Sequence, residues 1–293
     1  MKLPGPVRRR VDPRLDRFAL ERYRALTARS PRAQELDRAT LRAFDRVVAD
    51  AVDHGRRNRA LDRTVARAFR ALADADLTGD RPSRPIRRAV VAQFHRLYHH
   101  SRARTWQSTR FLGVDVPKTP LDLWLYQELI HDERPDVVIE AGTGSGGGAY
   151  YFARMLDLAG HGEVITIDAD ERPGRPEHPR ITYLSGASTE PATVAAVRDR
   201  LGDRRPLIVL DAAHRRRQVR DELRLWSPLV PVGSHLVVEG THAGGHPVRT
   251  RIGRGRWAAV RDFLRETDDF VVDRSMHKFF LTFNPRGYLK RVR

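Results

Sequence analysis

Nine residues, Glu140-Ala-Gly-Thr-Gly-Ser-Gly-Gly-Gly148, stand between an apolar run and an amphipathic one. Glycines at Gly142, Gly144 and Gly146 let a backbone turn tightly and approach a ligand closely. The helix that follows offers free N–H groups at its first turn. A second apolar run ends at Asp168, where a carboxylate can accept hydrogen bonds from both hydroxyls of a ribose. Two more runs end in Asp211 and Glu239. Carboxylates at such strand ends share one crevice and suit a hard cation such as Mg2+. A cation there would lower the pKa of a bound hydroxyl and make an oxygen nucleophile. His214, three residues after Asp211, is placed to take the proton, and His242 and His246 follow Glu239 on a glycine-rich loop.

The glycine loop alone leaves its ligand open. Gly142-x-Gly144-x-x-Gly147 also fits the dinucleotide fingerprint, which carries an acidic residue about 20 positions later. A pyrophosphate disfavours a carboxylate at Glu140, whereas the cationic sulfonium of S-adenosylmethionine (SAM) favours one. Ser185-Gly-Ala-Ser188, after the third run, stands where an adenine ring would lie. The residues therefore read as a SAM site made by Glu140, Gly142, Gly144, Asp168, Ser188 and Asp211. Two alternatives stay open. One is an NAD(P)-dependent oxidoreductase. The other is a non-catalytic scaffold of this type that docks on nucleic acid or an acidic membrane.

The elements that must position these residues alternate in kind. Helices are predicted over Leu121–His131, Ala149–Leu158, Gln218–Trp226 and Trp257–Thr267. Strands are predicted over Val137–Glu140, Val164–Asp168, Ile181–Leu184, Leu207–Asp211 and His235–Glu239. Phe270–Asp273 and Lys278–Phe283 form a closing antiparallel pair in this reading. Such alternation implies an α/β fold, a mostly parallel sheet covered on both faces. Before it, apolar residues at helical spacing from Leu36 to Leu72 read as two helices broken near Gly55. Asp80–Pro85 reads as a linker, followed by a third helix at about 86–100. The predicted division is thus an Arg-rich helical extension over 1–85 and a ligand-binding domain over 86–293.

The chain of 293 residues has 40% hydrophobic residues, enough for a packed core, and no cysteine, which excludes disulfides and thiolate chemistry. No apolar run approaches the roughly 18 residues that span a bilayer. Arg8-Arg9-Arg10 is followed by no apolar segment, so the start does not read as a secretory signal. The expected location is cytoplasmic, with contact on the inner membrane face left open. The net charge is +17, nearly all of it from arginine, with lysine only at Lys2, Lys118, Lys278 and Lys290. The basic residues are spread along the chain with few interleaved aromatics, which favours arginine-rich codon usage over a nucleic-acid stripe.

From about Phe94 to Arg293 the sequence resembles the cephalosporin hydroxylase/rhamnosyl O-methyltransferase family, a branch of the class I SAM-dependent methyltransferases. The resemblance rests on separated stretches in order. They are Phe94–Tyr98, Thr119-Pro-Leu-Asp-Leu-Trp-Leu-Tyr-Gln-Glu-Leu-Ile130, Pro135–Gly144, Leu210-Asp-Ala-Ala-His214, Leu236-Val-Val-Glu239, Gly245-His-Pro-Val248 and Phe279–Arg291. It implies a Rossmann-like seven-stranded sheet, SAM at Gly142, Gly144 and Asp168, and a divalent cation near Asp211 and Glu239. It implies an adenine-side role for Ser188 and a basic role beside the metal for His214. It also implies an acceptor hydroxyl on a sugar, a glycolipid or a secondary metabolite, and N-terminal helices of a kind that often build homo-oligomers. Two departures bear on the cation. The family's second acid after Glu239 is Gly240 here, and its Asp-x-Asp-His is Asp211-Ala-Ala-His214. Either His246 or water completes the shell, or the enzyme works without metal.

Overall fold

The computed structural model describes residues 84–101, 105–248 and 255–293. The helices predicted between 30 and 72 lie outside these residues. The chain divides into two compact units at Val90 and Val91, and of the first only the opening turns of one helix are described. That helix, α1, is Arg84–His100, so it takes in the last two residues of the predicted linker.

In the second unit a short hairpin, β1 (Arg110–Phe111) and β2 (Val114–Asp115), leads to α2 (Pro120–Glu133). Thr119 caps α2 by accepting the Asp122 N–H at 3.1 Å, and Pro120 opens its first turn. Then follow β3 (Val137–Ala141), α3 (Gly147–Ala159), β4 (Glu163–Asp168), β5 (Ile181–Ser185) and α4 (Pro191–Leu201). The chain continues through β6 (Pro206–Leu210), α5 (Arg216–Trp226), β7 (His235–Val238), α6 (Gly255–Glu266), β8 (Phe270–Val272) and β9 (Tyr288–Arg291).

The strands form one seven-stranded sheet in the order β5-β4-β3-β6-β7-β9-β8. β5, β4, β3, β6 and β7 pair in parallel, while β9 runs antiparallel to both of its neighbours. The order reverses between β3 and β6, so the loops after these two strands diverge and open a crevice.

The two-residue period of the strands decides which side chain faces which layer. Val137, Ile139 and Ala141, with Ile165, Ile167, Ile208, Leu210, Leu236 and Val238, face α4, α5 and α6. Val138, Val164, Leu207, Val209, Val237 and Tyr288 face α2 and α3. Continuing that alternation, Glu140, Asp168, Asp211 and Glu239 all belong to the α2–α3 side. A slip of one residue would send Glu140 into the other core, so burial fixes the register of the site as well as of the sheet.

One prediction is corrected and one helix is added. The segment Lys278–Phe283 is not a strand: Phe280 has a φ of 64°, and the chain turns across α2 before β9 supplies the closing strand. Its anchor is buried Asp122, which accepts the Phe283 N–H at 2.8 Å and the Tyr288 hydroxyl at 2.9 Å, together with the Thr282 hydroxyl. Helix α4 was not predicted, because its small residues Ala192, Ala195 and Ala196 blur the apolar period; Glu190-Pro191 was the available start signal.

Candidate active site

The loop after β3 follows from its glycines. Gly142 has a φ of 104°, and a Cβ there would lie 2.7 Å from the Ala212 nitrogen, so no larger residue fits between the ends of β3 and β6. The Gly142 N–H donates to Ile167 and the Asp211 N–H to Ala141, which locks the three strand ends together. Gly144 differs: its φ is 54°, and a Cβ there would meet open space. Its N–H donates to Asp168 at 2.8 Å, and the Asp170 N–H donates to the second Asp168 oxygen at 3.0 Å. Arg175 flanks this corner, bonding the Gly144 carbonyl at 3.1 Å and lying 3.5 Å from Asp168.

Glu140 is buried beneath α3. Its Oε1 occupies the space a Cβ on Gly148 would need, at 2.1 Å, and Thr166 donates to its other oxygen at 2.8 Å. Burial raises its proton affinity, to a pKa of about 7, against the pull of Lys118 and the Thr166 hydrogen bond. Ser188 is buried and turned away from the crevice, donating to Glu222 at 2.5 Å, while Trp226 donates to its carbonyl at 2.9 Å. Glu222 also accepts the Ala213 N–H at 3.2 Å. This acid ties the loop after β5 to the loop after β6.

Asp211 and Glu239 line a cavity of about 350 Å3, within the usual range for small-molecule sites. Between them stands Lys118, delivered by the segment just before α2 and pointing down the same sheet face. Its ammonium pairs with Glu239 and lies 3.6 Å from Asp211. Burial works against this charge, but Glu239 and Asp211 more than offset it and hold the lysine pKa above its ordinary range. Tyr126 donates to the other Glu239 oxygen. Arg256, from the first turn of α6, approaches from the opposite side and pairs with Asp211 at 2.9 Å. Despite desolvation, Arg256 and Lys118 hold the half-buried Asp211 carboxyl below the ordinary carboxylate range. Burial raises the proton affinity of the Glu239 carboxyl, with Lys118 opposing the rise and Asp211 adding to it.

The histidines divide. His214 lines the cavity, but its Nδ1 accepts from Arg256 at 2.6 Å. Arginine has no acceptor, so the His214 proton sits on Nε2 and its basic nitrogen is committed. Burial and Arg256 also lower its pKa. The geometry therefore speaks against His214 as the proton acceptor. His242 lines the cavity too; its Nδ1 donates to the Phe283 carbonyl at 2.8 Å, leaving Nε2 to accept from His99 at 3.1 Å. His246 is not among the lining residues and stacks on Trp257 with ring centroids 4.0 Å apart. Trp106 and Phe283 complete an aromatic wall with His99, the Trp106 and His99 rings lying 5.3 Å apart.

The cation expected at Asp211 and Glu239 does not suit this donor set. Two ammonium or guanidinium groups already neutralise the two carboxylates. Among the described residues no group of three or more histidine or acidic side chains could hold a metal. One or two carboxylates with water can hold Mg2+, but here the oxygens of both carboxylates are already taken by cationic and hydroxyl donors. Lys118 and Arg256 were both missed in the sequence. A buried lysine in so lysine-poor a chain was the one available signal, whereas Arg256 is hidden among the arginines of its segment.

The sheet order, with its single antiparallel strand β9 and its glycine loop at the reversal point, defines a class I methyltransferase fold. The model of the family described as Rhamnosyl O-methyltransferase/CmcI matches residues 103–292, and the chain belongs to this family. A rhamnosyl O-methyltransferase of Mycobacterium leprae (strain TN) is 32% identical over 211 residues, covering 69% of this chain and 91% of the relative. One from Mycobacterium tuberculosis (strain ATCC 25618 / H37Rv) is 32% identical over 212 residues, covering 69% and 85%. A CmcI structure with Mg and SAM aligns at a TM-score of 0.50 and 19% identity, over 64% of this chain and 78% of that one, a likeness of fold. The chain is thus a member of an O-methyltransferase family, and the nicotinamide reading of its glycine loop is set aside.

Proposed function

We propose that the protein transfers a methyl group from SAM to a hydroxyl of a sugar, carried on a glycolipid or a small molecule. The observation that carries this reading is the placement of two unlike sites across the β3–β6 reversal. On one side lies a glycine loop with Asp168; on the other, a cavity where buried charges meet an aromatic wall. Gly142 and Gly144 give the cofactor close backbone approach, Asp168 takes its ribose hydroxyls, and the Ser188 loop flanks its adenine. Glu140, in its ionised form, adds negative charge beneath the loop, favouring a sulfonium. SAM supplies the electrophilic methyl.

The chain's own residues then act on the acceptor. Faces of Trp106, His99 and Phe283 pack on the C–H surface of a sugar ring, and the His99 Nε2 is left to accept a hydrogen bond. The hydroxyl donates to Asp211, whose Oδ1 is held by Arg256. Its proton passes to the Asp211–Glu239 pair. The walls exclude water and align oxygen with methyl, which is where most of the rate arises. That the relatives are rhamnosyl O-methyltransferases supports a deoxysugar acceptor.

Calorimetry with SAM tests the cofactor half, with strong weakening expected for Asp168→Ala; no SAM binding would sink the reading. Methyl-labelled SAM offered with rhamnosyl glycosides and, separately, with a simple phenol tests the acceptor, and label on the sugar is expected. Among the described residues no helix is long and apolar enough to cross a membrane. A role for residues 1–85 as a separate helical extension belongs to the same proposal, as does association with a membrane surface or a second copy.

A further inference from the structure

Of the two acidic positions that the resemblance implies and this chain lacks, the structure shows what takes the space at Gly240. A Cβ on Gly240 would lie 2.1 Å from Nη1 of Arg256 and 3.2 Å from its Cζ. The backbone at Gly240 has a φ of 65°, so a side chain is strained there even without the clash. An aspartate at 240 and this arginine exclude one another.

A guanidinium has five N–H donors and no acceptor. Each donor of Arg256 is engaged. Nε bonds the Ala213 carbonyl at 2.7 Å. Nη1 bonds Asp211 Oδ1 at 2.9 Å and the Glu239 carbonyl at 3.0 Å. Nη2 bonds the Asp211 carbonyl at 2.8 Å and His214 Nδ1 at 2.6 Å. The side chain therefore clamps the ends of β6 and β7 together, the task a metal performs when both strands supply its ligands. Lys118 supplies the second charge, buried between Glu239 and Asp211. Unlike Arg256, it faces the cavity with a donor to spare.

We propose that Arg256 and Lys118 stand in place of a divalent cation, so that methyl transfer by this chain is metal-independent. Arg256 is the positioning residue; Lys118 is the group that meets the acceptor oxygen. The step balances without metal or redox partner. The acceptor oxygen forms a bond to the methyl carbon, and the carbon–sulfur bond breaks with its electron pair staying on sulfur. The hydroxyl proton goes to the Asp211–Glu239 pair. The Lys118 ammonium holds the oxygen by hydrogen bond and charge. The proposal rests on the methyl-transfer reading above, and it differs from that reading in what would overturn it.

The test is Mn2+ titration of the full chain, followed by electron paramagnetic resonance with and without S-adenosylhomocysteine, beside SAM calorimetry on the same sample. SAM binding with an undiminished free-Mn2+ signal is expected, as is labelled transfer that survives EDTA. Mn2+ uptake strengthened by S-adenosylhomocysteine, or transfer lost in EDTA and restored by Mg2+, would overturn the proposal. A second arm uses Arg256→Ala combined with Gly240→Asp, which removes the clamp and adds a carboxylate. This double variant should gain Mn2+ binding at least about tenfold over the native chain, because ligand charge sets much of the affinity. Native Mn2+ binding as tight as the variant's would again contradict it. The variant Arg256→Lys, which keeps charge but loses the fork, should stay metal-independent with kcat lowered more than KM for SAM. Failure of SAM binding strikes the methyl-transfer reading itself and is read separately from Mn2+.

Discussion

The two sides of the β3–β6 crevice are held in different ways. On the cofactor side, backbone does the work: Gly142 closes against Ala212, and Asp168 ties the Gly144 amide. Buried Glu222 joins Ser188 to Ala213 there, and burial pushes its carboxyl up to about 7. On the acceptor side, long charged side chains do it. Lys118 and Arg256 reach in from opposite layers and neutralise carboxylates at the ends of β6 and β7. The first arrangement is marked by its glycines and strand ends, which the sequence shows directly. The second is assembled from side chains 45 to 121 positions apart in sequence.

That contrast breaks most sharply at Arg256. Arg256→Ala leaves half-buried Asp211 with one partner fewer and the backbone carbonyls of Ala213 and Asp211 without this donor, and should cost about 2–3 kcal/mol of stability, less than the loss of one member of a fully buried ion pair. Urea unfolding reads it, and a loss below about 1 kcal/mol would mean the clamp is not needed. On the other side, Glu222→Gln keeps both accepted hydrogen bonds and removes the ionisation. In the unfolded chain this carboxyl ionises near its ordinary value of 4.5, whereas the folded one stays protonated to about 7. Its contribution is therefore complete below pH 4.5 and lost as pH rises towards 7. The variant should match the native chain at pH 4.5 and exceed it by about 2–3 kcal/mol at pH 8. Equal stability at both values would show that Glu222 ionises normally.

Asp168→Ala should weaken SAM binding about 10- to 100-fold, the worth of charge-assisted hydrogen bonds, with little change in the EDTA response. Calorimetry that finds native affinity would move the ribose elsewhere. Trp106→Ala, the mildest change, should raise KM for a sugar acceptor about three- to tenfold and leave SAM affinity alone. A rise in KM for SAM instead would place the aromatic wall on the cofactor.

Much of this was legible in the sequence because strands carry their own punctuation. Apolar runs ending in Glu140, Asp168, Asp211 and Glu239 located four carboxylates at one sheet edge, and a period of two put them on one face. Ser188 was readable as a position but not as a contact, since its partner Glu222 sits on α5, 34 residues on. His214 was placed correctly near Asp211, yet its tautomer depends on Arg256, which local sequence does not reveal. The segment Lys278–Phe283 read as a strand because its aromatics suit one. Asp122, buried in α2, ties Thr282 and Phe283 into a loop, and the pairing strand comes later, at Tyr288–Arg291. Long-range ion pairs leave no periodic trace, so the acceptor side had to be seen folded.

The central claim is methyl transfer from SAM to a sugar hydroxyl, with the chain's own cations at the acceptor. It is tested most directly by incubating the protein with methyl-labelled SAM and a rhamnosyl glycoside in excess EDTA, then locating the label. The account predicts a labelled methyl ether on the sugar at a rate that added Mg2+ does not change. No label on the sugar under either condition, or label only when Mg2+ is present, would contradict it.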